Sequence, residues 1–413
     1  MVDKLTAEGE RTAGLVGRTA AFNIATSLLA AFTGILIARW LGPSGRGNYA
    51  AVTAYLGTIL VLTELGIASA VVFHVSRFRA SADSYVRTAL ALFLPLTATA
   101  LVVTVAITLA GLDSDDPRQV PLLVVTACIT ATMLGAPASF ALQSLSIFRW
   151  NIMRISQPIV MMILLLGWMI WESLTVTAII ALMAVSFAVQ TAIGWAAYKA
   201  QGVAAGRVDP SKVAPMVRYG LANVASTAPN AINARFDQLV LAVLVAPAAL
   251  GQYAVAVSLS LLAGPLALAF GNVAFPHLAG GGDASVTIRK SVRGAFAVTI
   301  AGVVLITACS PLVVPPVFGT GYEAVPKLLV ILAPGAILFV VNQVIGDVLR
   351  GLGRPGLVAR CEWTGLVLTL VGLFVFVPMF GAYGAAWVSS IAYTMVHLML
   401  QLALRQSASR VGD

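Results

Sequence analysis

Tyr219, Asn223, Ser226, Thr227, Asn230, Asn233 and Asp237 recur, mostly at three- and four-residue steps, through an otherwise apolar stretch. On a 3.6-residue helix they form one stripe. Such a row has no place against hydrocarbon, where an ionisable group costs at least ~2.5–3.5 kcal/mol. It must face a neighbouring helix or a water-filled cavity. Arg235 stands off the stripe, roughly 160° around from Asp237 at 100° per residue. The two are poor partners, so Arg235 needs another anion. A phosphate oxyanion suits it, because the planar guanidinium donates several hydrogen bonds at once. An interhelical salt bridge, or snorkelling to the membrane surface, is the plainer alternative.

A second row, Thr19, Asn23, Thr26, Ser27, Thr33 and Gly34, lies near the start of the chain. Its hydroxyls and amides suit a sugar, and equally suit close helix packing. Arg18 lies at one end of this row, and Arg39 and Arg46 lie beyond the other. Glu64 stands inside an apolar run with no charge nearby in sequence. It is the candidate acid for proton or ion coupling, since burial raises a carboxyl pKa; a structural hydrogen bond explains it equally well. Asp347 and Glu362, close to Arg350, Arg354 and Arg360, read as an interfacial ion cluster. The expected cavity set is thus Arg18, Asn23, Arg46, Asn223, Asn230, Arg235 and Asp237, with Glu64 for coupling. Cys128, Cys309 and Cys361, and the isolated His74 and His397, have no metal or redox spacing. No phosphate-cradling G-x-x-x-x-G-K-[ST] motif or catalytic arrangement stands out. The sequence implies no cofactor and no enzyme.

These residues have to be positioned by membrane helices. Of 413 residues, 59% are hydrophobic and 10% are charged, against about 25% charged in soluble domains. Windows of about 20 apolar residues, enough to cross a bilayer, recur down the chain. The net charge of +9 does not indicate nucleic acid, because the basic residues are spread among short connections. Twelve helices are expected, near 13–38, 46–73, 86–110, 119–146, 152–171, 174–198, 214–246, 250–276, 288–313, 323–350, 356–378 and 382–404. Residues 1–200 then make an N-terminal six-helix lobe, 201–213 a linker and 214–413 a C-terminal six-helix lobe. Fifteen Lys and Arg fall on one set of alternate connections and four on the other. The basic-rich side faces the cytoplasm, which puts both termini there.

The halves also repeat. LGPSGRGNYA at 41–50 returns as LVAPAALGQYA at 244–254, matching Pro43 to Pro247, Gly47 to Gly251 and Tyr49 to Tyr253. LQSLSIFRWN at 142–151 returns as LRGLGRPGLV at 349–358. Each copy of the first motif reads as a tight turn between helices. Six helices per half make the repeat parallel, about an axis along the membrane normal.

LLAAFTGILIARWLGPSGRGNYAAVTAYLGTILVLTELGIASAVVFHVSR resembles the opening of the polysaccharide-biosynthesis transporters, the Wzx-type oligosaccharide flippases of the MOP (MATE-like) superfamily. ALGQYAVAVSLSLL and VLRGLGRPGLVARCEWTGLVLTLVGLFVFVPMFGAYGAAWVSSIAYTMV resemble its second half. The resemblance implies an all-α membrane protein, two six-helix lobes facing each other as a V, with a cavity lined by the first two helices of each half. It implies movement of polyprenyl-pyrophosphate-linked oligosaccharide from the cytoplasmic to the outer leaflet of the plasma membrane by alternating access. Arg18, Arg39 and Arg46 would then be a ladder of positive charge for the diphosphate, or interfacial anchors. Membrane lipids, a polysaccharide polymerase and glycosyltransferases are the implied partners. A MATE-like antiporter, a lipid II flippase (which usually has fourteen helices) and a membrane-embedded glycosyltransferase are the alternatives. The sign of the cavity's charge discriminates: basic walls fit the flippase, acidic walls the antiporter.

Overall fold

In the computed structural model the backbone is described for residues 2–171, 173–279 and 284–409, and side chains for these residues except 2–18, 20, 226, 272, 273, 275–277, 279, 284, 285 and 407–409. Every regular element among the described residues is helical. Helix α1 (Val2–Glu64) has 63 residues, about 95 Å at 1.5 Å each, three times the ~30 Å hydrocarbon core. It is broken at Gly42, with φ 65° and ψ 179°, a conformation open essentially to glycine alone. Pro43 opens the next helical piece, where a missing N–H costs nothing. Leu65 (φ 48°) and Gly66 (φ 68°) separate α1 from α2 (Ile67–Arg77). Then follow α3 (Ala82–Gly111), α4 (Gln119–Leu145), α5 (Ile147–Trp171), α6 (Val176–Lys199), α7 (Val213–Leu244), α8 (Pro247–Ser260), α9 (Gly264–Ala279), α10 (Ala284–Phe318), α11 (Val325–Gly351) and α12 (Pro355–Ser409). A second merged break occurs in α12 at Gly381, φ 55°.

Among the described residues eight helices are long and apolar enough to cross a membrane, nine if α8 and α9, bent by 47°, make one span. The chain is therefore a multi-pass membrane protein. The expected twelve are not reproduced as twelve separate helices. Two of the eight, α1 and α12, contain the breaks just described. Helix α7 is long enough at 32 residues, but the polar row along it keeps it out of the apolar set.

The chain divides into two compact units. One is Met1–Thr33 with Ile59–Val224, and the other is Gly34–Thr58 with Ala225–Asp413. In the first, α4 packs against α2, α3 and α6, and α5 against α6. Ile67, Val71, Ile129, Met133, Leu142 and Ile180 are buried there. Gly135 brings α4 and α6 close, for a Cβ on it would overlap Thr191 Oγ1. Trp195 Nε1 donates to Leu134 O at 3.0 Å across the same seam. The connection after α6 is strapped to α3 within this unit. Buried Asp83 accepts from Arg87 Nε (2.6 Å), Tyr198 OH (3.0 Å) and Gly206 N (2.7 Å). Ser84 Oγ donates to Arg207 O (2.8 Å), and Asp209 N donates to Thr88 Oγ1 (3.0 Å).

In the second unit α11 is central and packs on α8, α9, α10 and α12. Leu241, Leu250, Tyr253, Tyr322 and Leu329 fill one core cluster, and Val340, Val344, Ile345 and Leu400 a second. Both copies of the repeated motif lie in this unit, and they meet. A Cβ on Gly47 would overlap the Pro247 carbonyl, and a Cβ on Gly251 would overlap the Pro43 carbonyl. The contact is reciprocal, glycine of one copy against proline carbonyl of the other. Pro247 opens α8 as Pro43 opens its helix, so the helices after the motif start at 43 and 247, three residues before the expected 46 and 250.

Candidate functional site

The polar row of α7 is divided among several helices. Asn223 Nδ2 donates to Ser69 Oγ on α2 at 2.7 Å, inside the first unit. Asn230 Nδ2 donates to Glu362 Oε2 on α12 at 3.3 Å, inside the second. Asn233 and Asp237 are buried. Asp237 Oδ2 accepts from Tyr253 OH on α8 at 2.6 Å, and that hydroxyl lies 3.4 Å from Ser389 Oγ on α12. Much of the stripe thus holds helices together, as buried polar groups must when water is absent.

Asp237 also lines a small recess in the second unit, with Tyr253, Ser260, Gly335, Ser389 and Tyr393 among its walls. No cationic side chain lines it. Asp237 is its one carboxylate, set among hydroxyls and a larger apolar lining that includes Val257, Leu261, Leu332 and Phe339.

Arg235 is exposed and lies flat across the helix that follows Pro43. A Cβ on Gly57 would come 2.5 Å from its Cδ and Nε and 2.8 Å from its Cζ. Glycine there makes room for the guanidinium. Among the described residues the ion pairs within 4.0 Å are Arg87–Asp83, Arg118–Asp116, Lys212–Asp209 and Arg350–Asp347. Arg235 is in none of them, nor is Asp237.

In the first unit Asn23 Oδ1 accepts from Arg154 Nη1 at 3.1 Å. Arg154 stacks over Trp150 at 4.4 Å, and one turn earlier Asn151 Nδ2 donates to Thr19 Oγ1 at 3.1 Å. Arg154 therefore sits at a seam of amides and hydroxyls between α1 and α5, with no carboxylate pairing it among the described residues. By charge alone Arg154 counts with the basic connection after α4, although it falls within the expected 152–171 helix; the helix begins at Ile147, which places Arg154 two turns inside it. A Trp150–Arg154 step of four was the signal that could have revealed it.

Arg46 is buried, 8% exposed, 5.3 Å from the Tyr49 ring centroid. The side chain of Arg18 lies outside the described residues. Glu64 is half-buried at the last position of α1, next to the Leu65–Gly66 break. The expected interfacial cluster is corrected in part. Asp347 pairs with Arg350 at 2.8 Å, but Glu362 is buried at 7% exposed and takes Asn230 instead of an arginine. It stands two turns inside α12, two residues past Arg360.

Residues 16–280 match the family described as polysaccharide biosynthesis protein. The chain belongs to this family. A 79-residue stretch is 34% identical to the probable low-salt glycan biosynthesis flippase Agl15 of Haloferax volcanii, covering 19% of this chain. The match spans 17% of that relative's length. In fold, this member of the polysaccharide biosynthesis family is similar to the lipid II flippase MurJ in an inward closed conformation. The TM-score is 0.79 at 14% identity, over 93% of this chain and 87% of that one. It is also similar to an inward-facing multidrug resistance MATE family transporter of the MOP superfamily, with TM-score 0.73 at 13% identity over 93% and 96% of the two chains. The family member thus has the all-α fold of the MOP transporters.

Proposed function

We propose that the protein carries a polyprenyl-pyrophosphate-linked oligosaccharide, a precursor of surface polysaccharide, from the cytoplasmic to the outer leaflet of the plasma membrane by alternating access. The observation that carries this reading is the pair of arginines Arg154 and Arg235, one in each unit, that lack a carboxylate partner among the described residues. Each lies at a place prepared for it, Arg154 between Asn23 and Trp150 and Arg235 over Gly57. A guanidinium stays charged at any working pH and matches phosphate oxygens in pairs. Asn23 and Thr19 beside Arg154 supply groups that bind sugar hydroxyls or further phosphate oxygens. No bond is made or broken in this role, so the protein is a carrier and not an enzyme. Both termini face the cytoplasm on the charge census, and a polymerase and glycosyltransferases work before and after it.

The test is polymer export by cells whose only copy is Arg154→Ala or Arg235→Ala, at matched protein level. Each variant is expected to lose most of the exported polymer, and Arg154→Lys to restore only part, because an ammonium cannot make the paired hydrogen bonds. Normal export from both alanine variants removes the arginines from the mechanism.

The buried carboxylate of Asp237 at a recess favours a second reading, a cation- or proton-coupled antiporter centred on it. Asp237→Asn that abolishes efflux of organic cations while polymer export continues supports it. Loss of polymer export instead assigns Asp237 to driving the flippase.

A further inference from the structure

Around its Gly42 break the stretch 34–58 is clasped to the rest of the second unit by several contacts. Tyr322 OH donates to Ala38 O at 2.7 Å. Arg39 Nη1 donates to the carbonyls of Pro316 and Val317, at the C-terminal end of α10, where a cation also meets the negative end of the helix dipole. Gly321, with φ 91°, lies against the Pro43 ring, and a Cβ on it would come 2.7 Å from Pro43 Cγ. The two reciprocal glycine–proline contacts complete the set.

One side chain inside this clasp is poorly served. Arg46 is 8% exposed, and its Nε has no hydrogen-bond acceptor. No described carboxylate lies within ion-pair distance. Two residues on, Asn48 is 9% exposed and its Oδ1 has no donor. The face of Tyr49 offers Arg46 a cation–π contact, which offsets only part of the desolvation of a charge. The guanidinium cannot shed its proton to escape. The clasped arrangement therefore holds a charge where it is unfavourable, and the packing of Gly47, Gly251, Gly321 and Tyr322 keeps it there. Any oxyanion that reaches Arg46 only after the clasp has parted binds one of two states, and so shifts the population toward that state.

We propose that Arg46 and Asn48 form a phosphate-oxyanion site that is hidden while 34–58 is clasped and available when it parts, so that the anion itself releases the clasp. The naming of a lipid diphosphate as its physiological ligand rests on the transport reading above; the site and the release do not. A phosphate group reaches it either from soluble diphosphate or from an anionic lipid headgroup, and the shared chemistry is the same.

The test uses the full chain in proteoliposomes, with Cys128, Cys309 and Cys361 replaced by Ala and a reporter Ala51→Cys, 8% exposed beneath the clasp. The rate of labelling by a membrane-impermeant maleimide is followed. In phosphatidylcholine vesicles, inorganic pyrophosphate is expected to raise the rate about fivefold or more over chloride at equal ionic strength. Phosphatidylglycerol vesicles without pyrophosphate distinguish the lipid source. Arg46→Gln is expected to abolish either acceleration. No acceleration by either anion, or full acceleration in Arg46→Gln, overturns the proposal. Where Ala51→Cys fails to assemble, thermal unfolding of the otherwise unaltered chain replaces it: pyrophosphate raises Tm for Arg46 and leaves Arg46→Met unchanged, and equal shifts in both overturn the site. Polymer export is not read in either assay, so their failure leaves the transport reading standing, and its failure leaves this site standing.

Discussion

Arg235 forms no ion pair within 4.0 Å among the described residues, and its side chain lies over Gly57. A larger residue there takes the space that the Arg235 Cδ and Nε occupy. Gly57→Val is therefore expected to reduce polymer export nearly as far as Arg235→Ala, with Gly57→Ala between. The Asp237–Tyr253 hydrogen bond is on another face, and thermal stability should change little. Wild-type export in Gly57→Val would mean that the position of Arg235 does not matter. That Arg235 and Asp237 make no direct ion pair was legible in the sequence, because two residues at 100° each is simple helical arithmetic. Arg154 was not, since a cation just inside a helix start looks the same as one in a connection. Nor was the burial of Arg46, which arises from a crossing between segments some 200 residues apart. Asp237 read as a cavity ligand, but sequence periodicity does not reveal that Tyr253 stands opposite it.

At the level of elements, proline-marked breaks were readable and glycine-only ones less so. Gly42–Pro43 and Ala246–Pro247 announce themselves because proline cannot donate the bond that would continue a helix. The Leu65–Gly66 break carries no proline, and its cause lies elsewhere in the first unit: Gly220 packs against the Leu65 carbonyl, 2.7 Å from where its Cβ would be. The bend between α8 and α9 falls in Leu261–Leu262–Ala263, which resembles the interior of any apolar helix. The connection after α6 was expected as a simple linker, because Gly202, Gly206 and Pro210 suggest looseness. Asp83 holds it through Gly206 N, while also accepting from Arg87 on its own helix and from Tyr198 on α6. Asp83→Ala strips a buried acceptor from Tyr198 and Gly206, a loss of about 1–3 kcal/mol for each buried donor left unsatisfied. The expected result is a lower Tm and faster trypsin cleavage after exposed Arg207. Unchanged cleavage would show that the remaining contacts, Ser84 to Arg207 and Asp209 to Thr88, suffice.

At the level of the whole molecule, the duplication was legible as matched prolines, glycines and tyrosines, but a repeat in sequence does not say whether its copies touch. Here they do, and the contact is the same surface used twice. Gly47→Leu and Gly251→Leu each drive a side chain into the opposing proline carbonyl. Both are expected to expose Ala51→Cys to maleimide to a similar degree. The double variant should add little, because two changes at one contact are not independent. Strictly additive labelling would mean that the copies act separately. A surface that fits its own duplicate is also what a two-fold homodimer requires. A chain half as long, with a single copy of the ten residues, would carry both sides of this joint on one surface and could pair with a second copy of itself across a two-fold axis.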